Sequence, residues 1–218
     1  MNKKIVLALG AVILIVGGYF VFSELGRKND IDITKQPKTI ANTKEYSKSD
    51  FSISLPPQWI DRSEPTDLTP YERAYYNPVE GLFTSADFQN QQNGECTRVD
   101  CVITSGYMLT VYIMQKGEWI PAGLEAGSDI TLDVLIASAE ETKTKDPDVD
   151  VRIVTIGEYK GIWRSGDDRN KANSERYLSF DTVKDGAVYQ FGLRAPIQSD
   201  AKEMEELFTN ILATVRLK

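Results

Sequence analysis

Phe51-Ser52-Ile53-Ser54-Leu55-Pro56-Pro57-Gln58-Trp59 is the stretch on which the reading of this 218-residue chain turns. Phe51, Ile53 and Leu55 alternate with Ser52 and Ser54, the period of two expected of a strand with one buried face. The paired prolines then stop it, since neither has an N–H for a ladder and each fixes its own φ. Trp59 follows as a large apolar anchor that folds the chain back over the sheet. A globular domain opens here.

Upstream the composition changes twice. Ile5 to Phe22 (IVLALGAVILIVGGYFVF) is an uncharged run of 18 residues, about 27 Å as a helix and close to the hydrocarbon thickness of a bilayer. Lys3 and Lys4 precede it, and Tyr19, Phe20 and Phe22 give its far end an aromatic edge. Residues 1–23 therefore read as a transmembrane signal anchor. The competing reading is a cleaved signal peptide, but no small-x-small cleavage site follows and no cysteine is placed for a lipid anchor. Residues 24–45 are polar, lack apolar periodicity, and read as a linker. The domain is then 46–218.

Charge follows the same division. Lys3, Lys4, Arg27 and Lys28 against Glu24 give residues 1–28 a net +3, which leaves −10 beyond them out of the total of −7. So acidic a domain repels phosphate backbones, which argues against nucleic-acid binding. The chain has no histidine, so Ser-His-Asp and Cys-His mechanisms are excluded and the commonest zinc ligand is missing. No P-loop, GxGxxG, GxSxG or Cys/His cluster is present. The expectation is a non-enzymatic chain with no catalytic residues, no metal ligands and no cofactor.

Downstream of Trp59, residues 61–78 form a Pro-rich polar loop in which Tyr75 and Tyr76 mark a short strand. Residues 82–88 read as a strand and 89–94 (QNQQNG) as a turn. Cys96 and Cys101 are the two cysteines of the chain; at this spacing they read as a local disulfide, with a redox dithiol as the weaker alternative. A stable disulfide needs an oxidising compartment, which places the domain outside the cytoplasm. Residues 106–115 (GYMLTVYIMQ) are apolar on both faces, with Met108, Thr110, Tyr112 and Met114 on one and Tyr107, Leu109, Val111 and Ile113 on the other. A covered, interior strand is expected.

Thr131 is placed to cap a helix whose apolar face is Leu132, Leu135, Ile136 and Ala139. Asp146, Asp148 and Asp150 invite a calcium reading, but the sixth and twelfth loop positions are Val151 and Gly157 where Gly and Glu are needed. A solvated turn into a strand at 149–156 is expected instead. Gly157 turns that strand into 159–164, followed by a polar loop at 165–174. Asp167 and Asp168 in that loop are the only adjacent carboxylates considered for acid–base work, and such a pair belongs in a cleft. Residues 175–183 and 187–195 read as a hairpin around Lys184-Asp185-Gly186. Asp200 with Glu203 opens a helix carrying Met204, Leu207, Phe208, Ile211 and Leu212 on one face, and 214–217 closes the chain as a strand.

From FSISLPPQW through VRIVTIGEYKGIW and AVYQFGLRAP to the terminal helix and TVRL, the order of elements resembles the Mog1/PsbP-like family. The resemblance covers roughly Tyr46 to Lys218. It implies an α+β fold, an α/β/α sandwich with a central antiparallel sheet, preceded here by one N-terminal transmembrane helix. Its members dock to other macromolecules, among them a photosystem II subunit, a nuclear GTPase-binding protein and bacterial envelope lipoproteins. The implied function is a non-catalytic protein-binding or assembly module of the cell membrane. It would be single-pass, with the domain outside the cytoplasm and another envelope protein as partner. The alternative is a binder of a small apolar ligand or lipid, resting on Met108, Met114 and Trp119 around the two-sided strand.

Overall fold

Asp185 and Gly186 both have positive φ, 51° and 79°, the pair of left-handed residues that a type I′ turn requires. They join β10 (Glu175–Lys184) to β11 (Ala187–Pro196), which stay in antiparallel register along their whole length. Around this hairpin the computed structural model builds an antiparallel sheet of seven strands. It describes residues 42–63, 80–90, 102–114, 130–146, 148–168 and 175–218, all within the second of the two units into which the chain divides, Ile33–Lys218.

The remaining members of this sheet are β3 (Ile60–Asp61), β4 (Gly81–Thr84), β7 (Met108–Met114), β8 (Asp150–Ile156) and β9 (Tyr159–Asp168). The order is β3-β4-β7-β11-β10-β9-β8. The strand expected over 106–115 is β7, held between β4 and β11 with both faces assigned as its alternation implies. Residues 82–88 do not stay extended. The strand ends at Thr84, and a turn with Phe88 N bonded to the Ser85 carbonyl leads to β5 (Gln89–Asn90), which pairs with β6 (Ile103–Ser105).

Two helices cover opposite faces, giving an α+β architecture. Helix α1 (Leu132–Lys145) is capped by Thr131, whose hydroxyl accepts from Val134 N. Its buried Leu135 and Ala139 pack with Ile162 and Val188 on one face. Helix α2 (Ala201–Leu212) lies on the other face, where Met204, Phe208, Ile211 and Leu212 join Trp163, Leu178, Phe180, Phe191 and Leu193 in the main core.

The opening stretch supplies a different layer from the seven-stranded sheet. β2 (Phe51–Leu55) lies between β1 (Lys44–Ser47) and β12 (Arg216–Leu217) in a separate three-stranded sheet. Phe51, Ile53 and Leu55 are fully buried in the core shared with α2. Phe51 meets Phe191 edge to face at 6.4 Å. Trp59 does fold back. Its N–H bonds the Pro56 carbonyl at 3.0 Å, and its own carbonyl accepts from the buried Tyr46 hydroxyl at 2.6 Å. β1 starts at Lys44, two residues inside the stretch read as linker; backbone pairing to β2 extends it there.

No helix among the described residues is long and apolar enough to cross a membrane. The proposed anchor at 1–23, the linker up to residue 41, Tyr75 and Tyr76, the Cys96–Cys101 pair and Trp119 lie outside the described residues.

Asp200 caps α2 by accepting from Lys202 N at 2.8 Å and Glu203 N at 2.9 Å. These backbone bonds favour its charged form and hold its carboxyl below the ordinary 3.8. A lowered folded value gives stability that is present above about 3.8 and lost as pH falls through the lowered value. Asp200→Ala is accordingly expected to lower the melting temperature at neutral pH. The deficit should shrink in acid, as read by circular dichroism melts at both pH values. An equal deficit at both would show that the cap acts through something other than its charge.

Candidate functional site

Strand β9 runs three residues past its pairing with β8, whose register ends at Asp150 opposite Ser165. That overhang, the turn from α1 into β8 and the first turns of α2 enclose an open cleft of about 690 Å³. Among the described residues, Asp146, Asp148, Asp167 and Glu205 line it with one basic side chain, Arg176, and with Val149 and Leu178 as apolar floor. Arg176 is engaged on both sides. Its Nε and Nη2 donate to the two carboxylate oxygens of Asp167 at 2.8 and 3.4 Å, and its Nη1 donates to the Ser199 carbonyl at 2.6 Å. Asp167 thereby raises the Arg176 pKa further above its ordinary value. The described lining of the cleft is acidic.

This geometry corrects one expectation. Asp167 and Asp168 are the last residues of β9 and not part of a loop, because Arg176 and Glu175 of β10 pair with them across the ladder. With Asp167 committed to Arg176, no pair of carboxylates stands ready there for acid–base work. The turn at Asp146 and Asp148 is the solvated one expected. Both residues are exposed, and Asp148 N bonds Asp146 Oδ1 at 3.3 Å. Asp150 pairs with Arg152 at 2.9 Å. No group of three or more acidic side chains that could hold a metal ion occurs among the described residues.

The opposite face of the sheet carries a second concavity, of about 330 Å³, beside β7. Glu175 and Asp181 of β10 are buried at 2% and 4% exposure. Arg194 pairs with Glu175, whose other oxygen accepts from Ile103 N at 2.9 Å. Arg164 pairs with Asp181, whose other oxygen accepts from Gln190 Nε2 at 3.1 Å. Burial pushes the Asp181 carboxyl up, with Arg164 and Gln190 opposing. Burial likewise raises the Tyr112 phenol above 10.0, opposed by the nearby Arg194 charge.

Both methionines of β7 pack into hydrophobic clusters. Met108 is buried against Leu82, Phe88 and Ile103, and Met114 packs in the α1 cluster. The concavity beside the strand is lined by Glu175, Arg194 and Gln190 together with Tyr177, Leu178 and Gly192, and Trp119, the third residue of the apolar-ligand reading, lies outside the described residues. Arg164, Arg176, Glu175, Asp181 and Arg194 were not singled out from sequence. The available signal was parity, since Glu175, Ser179 and Asp181 share one face of β10 while Gln190, Gly192 and Arg194 share the same face of β11.

No family model matches the chain, and no curated protein does. Among solved structures it is similar to LpqN of Mycobacterium tuberculosis, described as involved in cell envelope biogenesis, at 11% identity and TM-score 0.46, covering 87% of this chain and 98% of that one. The Saccharomyces cerevisiae Ran-binding protein Mog1p matches at 8% identity and TM-score 0.45, covering 81% and 95%. The cyanobacterial PsbP of Synechocystis matches at 14% identity and TM-score 0.39, covering 82% and 94%. The chain spans under half, 45%, of a further match from Bacteroides thetaiotaomicron. LpqN, Mog1p and the cyanobacterial PsbP are of the Mog1/PsbP-like fold that the residue pattern resembles. At such scores the likeness concerns general architecture and says nothing of function.

Proposed function

We propose that this chain is a membrane-anchored, extracytoplasmic, non-catalytic module that binds another protein of the envelope through its acidic cleft. The observation that carries the reading is that cleft: about 690 Å³, open, with Asp167 held by Arg176 and Glu205 by Arg152 while the exposed Asp146 and Asp148 leave its described lining acidic. Such a surface attracts a segment bearing lysine or arginine, speeding encounter and fixing register. Val149 and Leu178 give the segment's apolar stems somewhere to lie. Anchoring rests on the apolar run 5–22, and location outside the cytoplasm on the Cys96–Cys101 pair.

The test is crosslinking of the full-length chain in intact cells, comparing the wild type with Asp146→Lys/Asp148→Lys. Both positions are exposed, and basic residues suit the C-terminal end of α1. Loss of the crosslinked partner by at least about tenfold, about 1.4 kcal/mol, at unchanged melting temperature is the expected result. Undiminished capture by the reversed-charge variant would remove the cleft from the account.

A further inference from the structure

On the face of the sheet opposite α2, the ladder register lays three rows of side chains across β7, β11 and β10. One row is Tyr112, Gln190 and Asp181, the next Thr110, Gly192 and Ser179, the third Met108, Arg194 and Tyr177. The middle row is made of small residues between two rows of large ones, so the face is indented along it. The cavity of about 330 Å³ lies there, near the lower end of small-molecule pockets at about 300–1,000 Å³. Gly192 keeps the floor at backbone level, since a Cβ there would stand 2.9 Å from Thr110 Oγ1.

The walls decide what fits. Two buried ion pairs border the trough, Arg164–Asp181 toward one side and Arg194–Glu175 toward the other, so its described walls carry no net charge. A lone anion would have to displace Glu175 from Arg194. A lone cation would have to reach carboxylates at most 4% exposed behind their arginines. A wholly apolar ligand would cover Tyr177 and Leu178 but leave Ser179, Gln190 and the remaining guanidinium donors dehydrated without replacing their hydrogen bonds, so a ligand with both an apolar face and polar edges fits better. A flat neutral molecule dense in both donors and acceptors meets none of these objections. The Ser179 hydroxyl can donate and accept, Gln190 keeps its carbonyl oxygen and one amide hydrogen beyond the one given to Asp181, and Tyr177 supplies an aromatic wall.

We propose that the trough over Thr110, Gly192 and Ser179 is a binding site for a neutral saccharide ring. The ring is held by Ser179, Gln190 and Arg194 and walled by Tyr177. The site shares Tyr177 and Leu178 with the acidic cleft but depends on neither Asp146 nor Asp148, so it can fail or succeed independently of the protein-binding reading.

Saturation-transfer NMR on the full-length chain, in a detergent with no sugar headgroup, tests it. The probes are N-acetylglucosamine and its β-1,4 disaccharide, with glycine, methanesulfonate and laurate as charged and apolar comparators. Saturable transfer is expected from the saccharides alone. It should weaken at least about tenfold in Ser179→Phe, which fills the trough, and also in Gln190→Leu, which removes the amide without adding bulk. Melting temperatures identify any variant that has lost its fold, and Gln190→Leu then decides. Absence of saccharide transfer in the wild type, equal transfer in Gln190→Leu, or preference for glycine, methanesulfonate or laurate would each overturn the proposal.

Discussion

Arg164→Met is expected to destabilise the domain by about 3–5 kcal/mol, among the largest losses from any single change in it. The reason is the group it leaves behind. Asp181 is 4% exposed, and Arg164 and Gln190 are its partners. Without the guanidinium, a carboxylate remains in a low-dielectric setting with one neutral amide to stabilise it. Replacing both members, Arg164→Met with Asp181→Leu, should recover most of the loss, because a well-packed apolar pair of similar volume is often neutral or better.

The single variant carries a pH signature as well. Burial already holds the Asp181 carboxyl above its ordinary 3.8 in the folded chain. A raised folded value means the folded state binds that proton more tightly than the unfolded one. The resulting stability is full below about 3.8 and is lost as pH rises through the raised value. Losing Arg164 removes the charge that opposes the rise, so the fall with pH should become steeper. Urea unfolding of the full-length chain at mildly acid and neutral pH measures both effects. Equal losses in the single and double variants would show that the packing of Arg164, rather than the stranded charge, is what matters.

Trp163→Ala should cost a similar amount, about 3–5 kcal/mol, by a different route. Trp163 is fully buried where β9 meets α2, with its ring 5.3 Å from Phe208 and the Arg152 guanidinium 5.6 Å above it. Arg152 in turn pairs with Asp150 and Glu205, tying the edge strand β8 to α2 over the indole. Truncation would leave a cavity between sheet and helix that the backbone ladder on both sides of β9 prevents from closing. Phe208→Ala on the facing helix should be nearly as costly. Because the two rings touch, the double variant should lose less than the sum, which a double-mutant cycle measures. Strict additivity would mean that the rings do not share one packed site.

Elements with local signatures were legible in the sequence. Asp185-Gly186 named its turn because left-handed backbone at two successive residues is available to few pairs. Asp200 named its helix because a side chain that bonds two backbone N–H groups needs nothing distant. The two faces of β7 followed from simple alternation. β1 did not, since Lys44-Glu45-Tyr46-Ser47 has one apolar residue and becomes a strand only by pairing with β2. The outer end of β9 was also missed, because Ser165-Gly166-Asp167-Asp168 has a loop's composition and stays extended through its ladder with β10.

The candidate sites were still less visible, and for the same reason. The trough joins residues 110, 192 and 179, and the cleft joins 146, 148, 149, 165–167, 176 and 205. Both exist through strand register and helix placement, which no local pattern encodes. Even the charge of the cleft depends on Arg176 being held by Asp167 and the Ser199 carbonyl.

Whether the cleft docks a protein is tested most directly by placing a photo-crosslinking residue at Asp148, inside it, and at Glu140, exposed on α1, in full-length chains expressed in intact cells. The account predicts a single adduct of defined size from position 148 and none from position 140. It also predicts that the adduct weakens as salt is raised, since an acidic cleft meeting a basic segment is screened over about 10 Å at 0.1 M salt. Adducts of equal yield from both positions, or none from position 148 while the chain is folded and abundant, would contradict it.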